Sequence, residues 1–182
     1  MRIITGIARG TRLITLEGAE VTRPTSEAVK EAVFSMINFD IEGHKVLDLF
    51  AGSGQMALEA VSRGALSAVL VDSDRSAIDV IKKNVEKTRF GEKCRVLNTD
   101  YKSAIRTYAG KEKFGIVFLD PPYNSDYIKD ALERMTRADI LLDNALVVCE
   151  SNSPEPIEAS GLSIRRFAKY GKTYITVLVK DC

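Results

Sequence analysis

Histidine and cysteine are scarce in this chain, and their scarcity removes several chemistries at once. The one histidine, His44, sits beside Gly43 in a polar turn, and the three cysteines, Cys94, Cys149 and Cys182, show no paired spacing. Such a set excludes the usual Cys/His zinc sites, so no metal is expected. An odd number of unpaired thiols also excludes a disulfide framework and fits reduced cysteines in the cytoplasm. No Gly-x-Ser-x-Gly turn is present, which argues against a Ser-His-Asp hydrolase. No apolar run approaches the roughly 18 residues of a membrane span, and the first six residues lack the apolar core of a secretory leader. Excess charge is missing too. A net charge of +1 provides no global basic field, so any contact with nucleic acid must come from a local patch. There is no internal repeat and no low-complexity run, and the one breaker-rich loop, 151–156, is too short to link domains.

What is present describes an ordinary globular chain: 182 residues, 45% hydrophobic and 28% charged, enough for one domain with a small appendage. Residues 1–40 differ in character from the rest of the chain. Short β-like runs at 2–5 and 12–16, broken by Gly6, Gly10 and Gly18, predict a hairpin. A helix beginning at Thr25-Ser26-Glu27 then carries Val29, Val33, Met36 and Ile37 on one face and ends at 38–40, with Pro24 just before it. Residues 41–182 form the second unit. Strands are predicted near 45–50, 67–72, 94–98, 114–119, 145–149, 162–169 and 173–179. Helices are predicted near 55–63, 74–88, 101–108, 125–136 and 138–142. This alternation is that of an α/β fold with a mostly parallel sheet covered on both faces. The last two strands are joined only by Tyr170-Gly171-Lys172, so they must form an antiparallel hairpin.

Two motifs carry chemistry. Asp120-Pro121-Pro122-Tyr123 follows the apolar run 115–119, at the carboxyl end of a strand, where open α/β sheets bind ligands. The Asp120 carboxylate and a nearby backbone carbonyl accept hydrogen bonds and donate none, which suits an exocyclic –NH2. The prolines stiffen the loop, and Tyr123 offers a face for stacking on a base. The second motif is Asp48-Leu49-Phe50-Ala51-Gly52-Ser53-Gly54, followed by Ala57, on a strand-to-helix turn. Gly52 and Gly54 permit a sharp turn and close approach, and Asp72 comes 20 residues after Gly52, where it can accept from two ribose hydroxyls. A pyrophosphate would favour a bare helix N-terminus. Asp48 before the glycines suits a cationic ligand instead, and S-adenosylmethionine has an amino group, a sulfonium and no phosphate. Asp100 closes the third strand, where it can accept from an adenine amine or cap the next helix, with Tyr101 adjacent. An NAD-type oxidoreductase, a methyltransferase acting on DNA adenine or a protein amide, and a non-catalytic RNA-binding module are the competing readings of these motifs.

The chain resembles the class I S-adenosylmethionine-dependent methyltransferases, and more closely the RsmD-type bacterial 16S ribosomal RNA guanine-N2 methyltransferases. The likeness runs in order through residues 2–6, Ala8-Arg9-Gly10, Arg23-Pro24-Thr25, the 48–54 turn, Glu59-Ala60, Ser62-Arg63-Gly64-Ala65 and Asp120-Pro121-Pro122-Tyr123. One departure is Ala57, where the family usually carries glycine; alanine fits the same close-packed role. The resemblance implies a Rossmann-like seven-stranded sheet. It assigns S-adenosylmethionine to Asp48, Phe50, Gly52, Gly54, Asp72, Asp100 and Tyr101, with catalysis at Asp120, Pro121, Pro122 and Tyr123. The acceptor it implies is the N2 amine of a guanine in small-subunit RNA, often within an assembled particle. Arg2, Arg9, Arg12 and Arg23, with Lys30, are the candidates for RNA phosphate contacts. Arg165, Arg166, Lys169 and Lys172 can extend that patch, and Tyr170 can face the base pocket. The modest size and the lack of an apolar interface segment predict a monomer.

Overall fold

Successive residues along the central strands point to opposite faces, and here both faces are apolar. Val46, Leu70 and Ile116 fall on one side, Leu47, Val71 and Val117 on the other. A sheet of that kind must be covered twice. The computed structural model describes residues 1–16, 27–122 and 125–182. Its strands are β1 (Lys45–Asp48), β2 (Ser67–Asp72), β3 (Cys94–Asn98), β4 (Phe114–Leu119), β5 (Leu141–Ser151), β6 (Leu162–Tyr170) and β7 (Thr173–Lys180). They form one sheet in the order β3-β2-β1-β4-β5-β7-β6. The first five are parallel, and β7 runs antiparallel to both β5 and β6. Helices α1 (Glu27–Ile37), α2 (Gln55–Ser62) and α3 (Arg75–Thr88) cover one face, and α4 (Tyr101–Tyr108) and α5 (Ser125–Arg137) the other.

One predicted element is corrected. No helix forms at 138–142. Asp139 takes a left-handed φ of 50° just past α5, and Leu141 pairs with Phe114, so β5 begins there. The register then shifts between Phe114 and Ile116 before regular pairing resumes, with Asn144 also left-handed at φ 62°. The N-terminal hairpin forms in a short version: an antiparallel bridge, Arg2 to Arg12, is flanked by bonds from the Ile3 N–H to the Thr11 carbonyl and from the Leu13 N–H to the Met1 carbonyl, while other amides of the arm bond outside it.

Those amides bind helices. The Glu59 carboxylate, on α2, accepts the N–H groups of Ile4 at 2.8 Å and Thr5 at 3.0 Å. Ser62, one turn on, accepts from the Ala8 N–H and donates to the Thr5 carbonyl. Asn84 of α3 accepts from the Ile14 N–H and donates to the Ile14 carbonyl. The docking is so close that a Cβ on Gly6, itself at φ 86°, would lie 1.8 Å from the Ser62 carbonyl oxygen. Ile3 and Leu13 are buried in the same apolar cluster as α1, α2 and α3.

Lys30, expected among the RNA contacts, is fully buried. Its ammonium donates to the Arg2 carbonyl at 2.5 Å and lies 3.4 Å from Glu59. Burial pushes the lysine below its ordinary range, against the pull of Glu59. A buried charge held this way positions the arm and cannot meet phosphate.

Candidate active site

Strand order reverses between β1 and β4: the chain leaves β1 towards β2 on one side and returns to β4 on the other. Such a switch point opens a crevice at the carboxyl ends of the two strands. The glycine turn follows β1 and Asp120 follows β4, and Asp48 pairs directly with Phe118, so the two motifs are brought together. Between them lies a cleft of about 760 Å³, lined by Asp48, Phe50, Gly52, Asp72, Asp100, Tyr101, Asp120, Pro121 and Pro122. Tyr123 and Arg23 lie outside the described residues.

Several of the predicted residues are held by specific contacts. Gly54 stands at the start of α2 with φ 79°, and a Cβ there would lie 2.9 Å from the Leu70 Cδ2. Larger residues are therefore refused on both conformational and steric grounds. Asp72 does more than expected. Its carboxylate accepts the Gly52 N–H at 2.9 Å and the Asp74 N–H at 2.9 Å, so the ribose-binding candidate also pins the glycine turn to β2. Asp100 caps α4, accepting from the Ser103 N–H at 3.0 Å and hydroxyl at 2.8 Å, and these bonds hold its carboxyl below the usual range. Tyr101 packs its ring 5.3 Å from Phe50 and donates its hydroxyl to Asp130 at 2.6 Å. Burial, and then Asp130, raise its pKa, so it serves as wall rather than acid.

Six acids line the cleft (Asp48, Asp72, Asp74, Asp100, Asp120 and Glu150), and no lysine, arginine or histidine side chain does so among the described residues. Such a field rejects a pyrophosphate and accepts a cationic nucleoside, which argues against the dinucleotide reading. Asp48 is the member of this set that burial makes hardest to ionise. Burial, reinforced by Asp72, pushes its carboxyl up to about 7, although the backbone at Phe50 and Ala57 pulls the other way. A buried acid of this kind gains when a cation comes to it. Because Asp48 is easier to protonate in the fold than in the unfolded chain, its contribution to stability is full below about pH 4 and lost as pH rises to about 7. We expect the ligand-free protein to melt at lower temperature across that window, and Asp48→Asn to flatten the slope, as read by thermal melts at a series of pH values.

The described arginine candidates do not line the cleft. Arg2, Arg9 and Arg12 are exposed on the arm, with Arg2 paired to Glu27 at 3.4 Å. Arg165 is bonded to Asp40 at 3.0 Å, while Arg166, Lys169 and Lys172 are exposed along the last hairpin. Tyr170 packs on the α1-side core, and Thr173 lines the cleft instead. Sequence reasoning missed the part played by the arm. Met1, Thr15 and Leu16 line the cleft, and Asn84, which holds Ile14, also donates to the Ser53 carbonyl of the glycine turn at 2.9 Å. A signal did exist: Gln55, Glu59 and Ser62 recur at i, i+4 and i+7, a polar stripe on a helix otherwise apolar.

Sheet order, switch-point cleft and acid-lined glycine turn define a Rossmann-like methyltransferase. A family model described as conserved hypothetical protein 95 matches residues 1–179. The chain belongs to that family, the RsmD family whose motifs it carries. It is 34% identical to a Bacillus subtilis (strain 168) protein provisionally named as the rRNA methyltransferase YlbH, over 99% of each chain. It is 32% identical to the ribosomal RNA small subunit methyltransferase D of Haemophilus influenzae, over 86% of this chain and 81% of that one. A solved Escherichia coli structure, provisionally described as a methyltransferase, is 31% identical and superposes with a TM-score of 0.86, covering 100% of this chain and 98% of its own.

Proposed function

We propose that the chain transfers a methyl group from S-adenosylmethionine to the exocyclic N2 amine of a guanine in small-subunit (16S) ribosomal RNA. The observation that carries this reading is the placement of Asp120-Pro121-Pro122 on the wall of an acid-lined cleft that also holds Asp48 and Asp72. The names of its relatives support the RNA acceptor. No described helix is long and apolar enough to cross a membrane. A monomer in the cytoplasm, with residues 1–40 as its RNA-contacting extension, completes the proposal.

When bound, S-adenosylmethionine supplies a methyl group on a cationic sulfur. The chain's own residues do the rest. Asp72 accepts from ribose hydroxyls, Asp100 from the adenine amine, and Phe50 and Tyr101 wall the cleft. At the acceptor, the guanine amine is a weak nucleophile because its lone pair is delocalised into the ring. Asp120 and the Pro121 carbonyl accept its N–H groups and hold it in line, and alignment alone can supply several kcal/mol. N2 becomes acidic as the new N–C bond forms, so its proton passes to Asp120 or to water, and a strong base is not required. Tyr123 stacks on the base. A base can enter this slot only when unpaired or flipped out of its helix.

The test is transfer of labelled methyl to naked small-subunit RNA, to small subunits from cells lacking this protein, to duplex DNA and to bulk protein. The products are then digested to nucleosides or amino acids. We expect label in N2-methylguanosine. Label in methyladenine or in protein would overturn the acceptor.

A further inference from the structure

The β6–β7 hairpin carries an aromatic feature that methyl transfer alone does not require. Phe167 and Tyr174 lie with their rings 9° from parallel and centroids 5.9 Å apart, and the Lys169 ammonium stands 5.4 Å from the Tyr174 ring centre. Phe167 and Lys169 are exposed and Tyr174 half-buried. Strand register explains the grouping. Lys169 pairs with Tyr174 and Phe167 with the next same-face residue, Thr176, so all three side chains share one face of the sheet's outer edge. The edge is already protected by its exposed charges and by the register shift between Ile164 and Arg166, and exposed stacked rings add nothing to that protection.

The pair also stands beside the cleft. Tyr174 pairs across to Ser151 of β5, and both Ser151 and Thr173 line the cleft that holds Asp120. The strand order runs β4, β5, β7, β6, so β6 lies three strand spacings from β4, roughly 14 Å along the same sheet edge. Charge supports one kind of occupant. Residues 162–180 include no acidic side chain and five basic ones, of which Arg165 and Lys180 pair with acids outside the hairpin and Arg166, Lys169 and Lys172 are exposed along it, whereas the cleft itself is lined by acids and by no basic side chain among the described residues. A polyanion is therefore repelled from the cleft and favoured at the hairpin.

We propose that Phe167, Tyr174 and Lys169 form a stacking platform for an unpaired base that flanks the target guanine. The platform rests on the RNA reading above and adds to it a second contact, which fixes the strand's direction across the sheet edge. Rings stack on any base and the ammonium meets a phosphate, so the contact holds single-stranded RNA without reading its sequence.

The experiment measures affinity for small-subunit RNA, affinity for S-adenosylmethionine and methyl transfer in the wild type, Phe167→Leu and Lys169→Gln. Leucine keeps apolar bulk at the sheet edge and removes the stacking face. We expect Phe167→Leu to weaken RNA binding about tenfold, the loss of one base–aromatic stack, with donor affinity unchanged. Lys169→Gln is expected to lower the slope of log affinity against log salt by about one. RNA affinity and salt slope equal to wild type in both variants, with methyl transfer to guanine intact, would overturn the platform and leave the proposed function standing. Wild-type protein that methylates no RNA guanine would sink both. A wild type that dimerises, and loses its partner but not its RNA affinity in Phe167→Leu, would assign the patch to a second copy and overturn the platform as well.

Discussion

Asp120→Ala is expected to lower methyl transfer by about a hundredfold or more while donor affinity stays at the wild-type level. The split comes from where Asp120 stands. It terminates β4, whereas Asp48, Gly52 and Asp72, which face the donor in our reading, belong to β1, β2 and the turn after β1. Removing the carboxylate takes an acceptor from the amine and leaves the nucleoside's contacts in place. Asp120→Asn sharpens the test. Its side-chain oxygen still accepts, but its amide turns donors towards an amine that is itself a donor, so it too should lose turnover, with little change in RNA affinity. The measurement is single-turnover transfer with donor binding by calorimetry. Normal turnover in Asp120→Ala would remove Asp120 from the mechanism.

Glu59→Gln is expected to destabilise the protein by about 3–5 kcal/mol, the usual cost of leaving one member of a buried ion pair alone. For a chain of this size that corresponds to a fall in melting temperature of roughly 10 °C. The Glu59 carboxylate accepts from Ile4, Thr5 and Arg63 Nε and faces the Lys30 ammonium, and both Glu59 and Lys30 are fully buried. Glutamine offers one acceptor oxygen and points an NH2 at donors. Adding Lys30→Met should recover part of the loss, because the unpaired charge then disappears; a double-mutant cycle read by thermal melts measures the coupling. Additive losses would show that the two residues act independently. Donor affinity should fall in Glu59→Gln as well, since the arm it holds lines the cleft through Met1, Thr15 and Leu16.

The strands and helices of the sheet were legible because their signals are local. Apolar runs such as 114–119 and the glycine turn at 52–54 specify their own conformation, and five of the predicted strands end within one residue of the observed ones. The pairing of motifs at the switch point came from chain order alone. What failed was decided by distant partners. Residues 138–142 read as helical until Leu141 finds Phe114, and Lys30 reads as a surface cation until Glu59 is placed beside it. The arm's docking was hidden for the same reason, since the carboxylate that takes the amides of Ile4 and Thr5 lies 55 and 54 residues away.

The anchoring of the arm has a consequence for the order of folding. The groups that hold residues 1–16, on Glu59, Ser62 and Asn84, lie between 54 and 70 positions further along the chain. Loops of that length close only once the helices carrying their far ends have docked on the sheet. The arm is therefore among the last segments to lock, and it carries with it the final wall of the cleft.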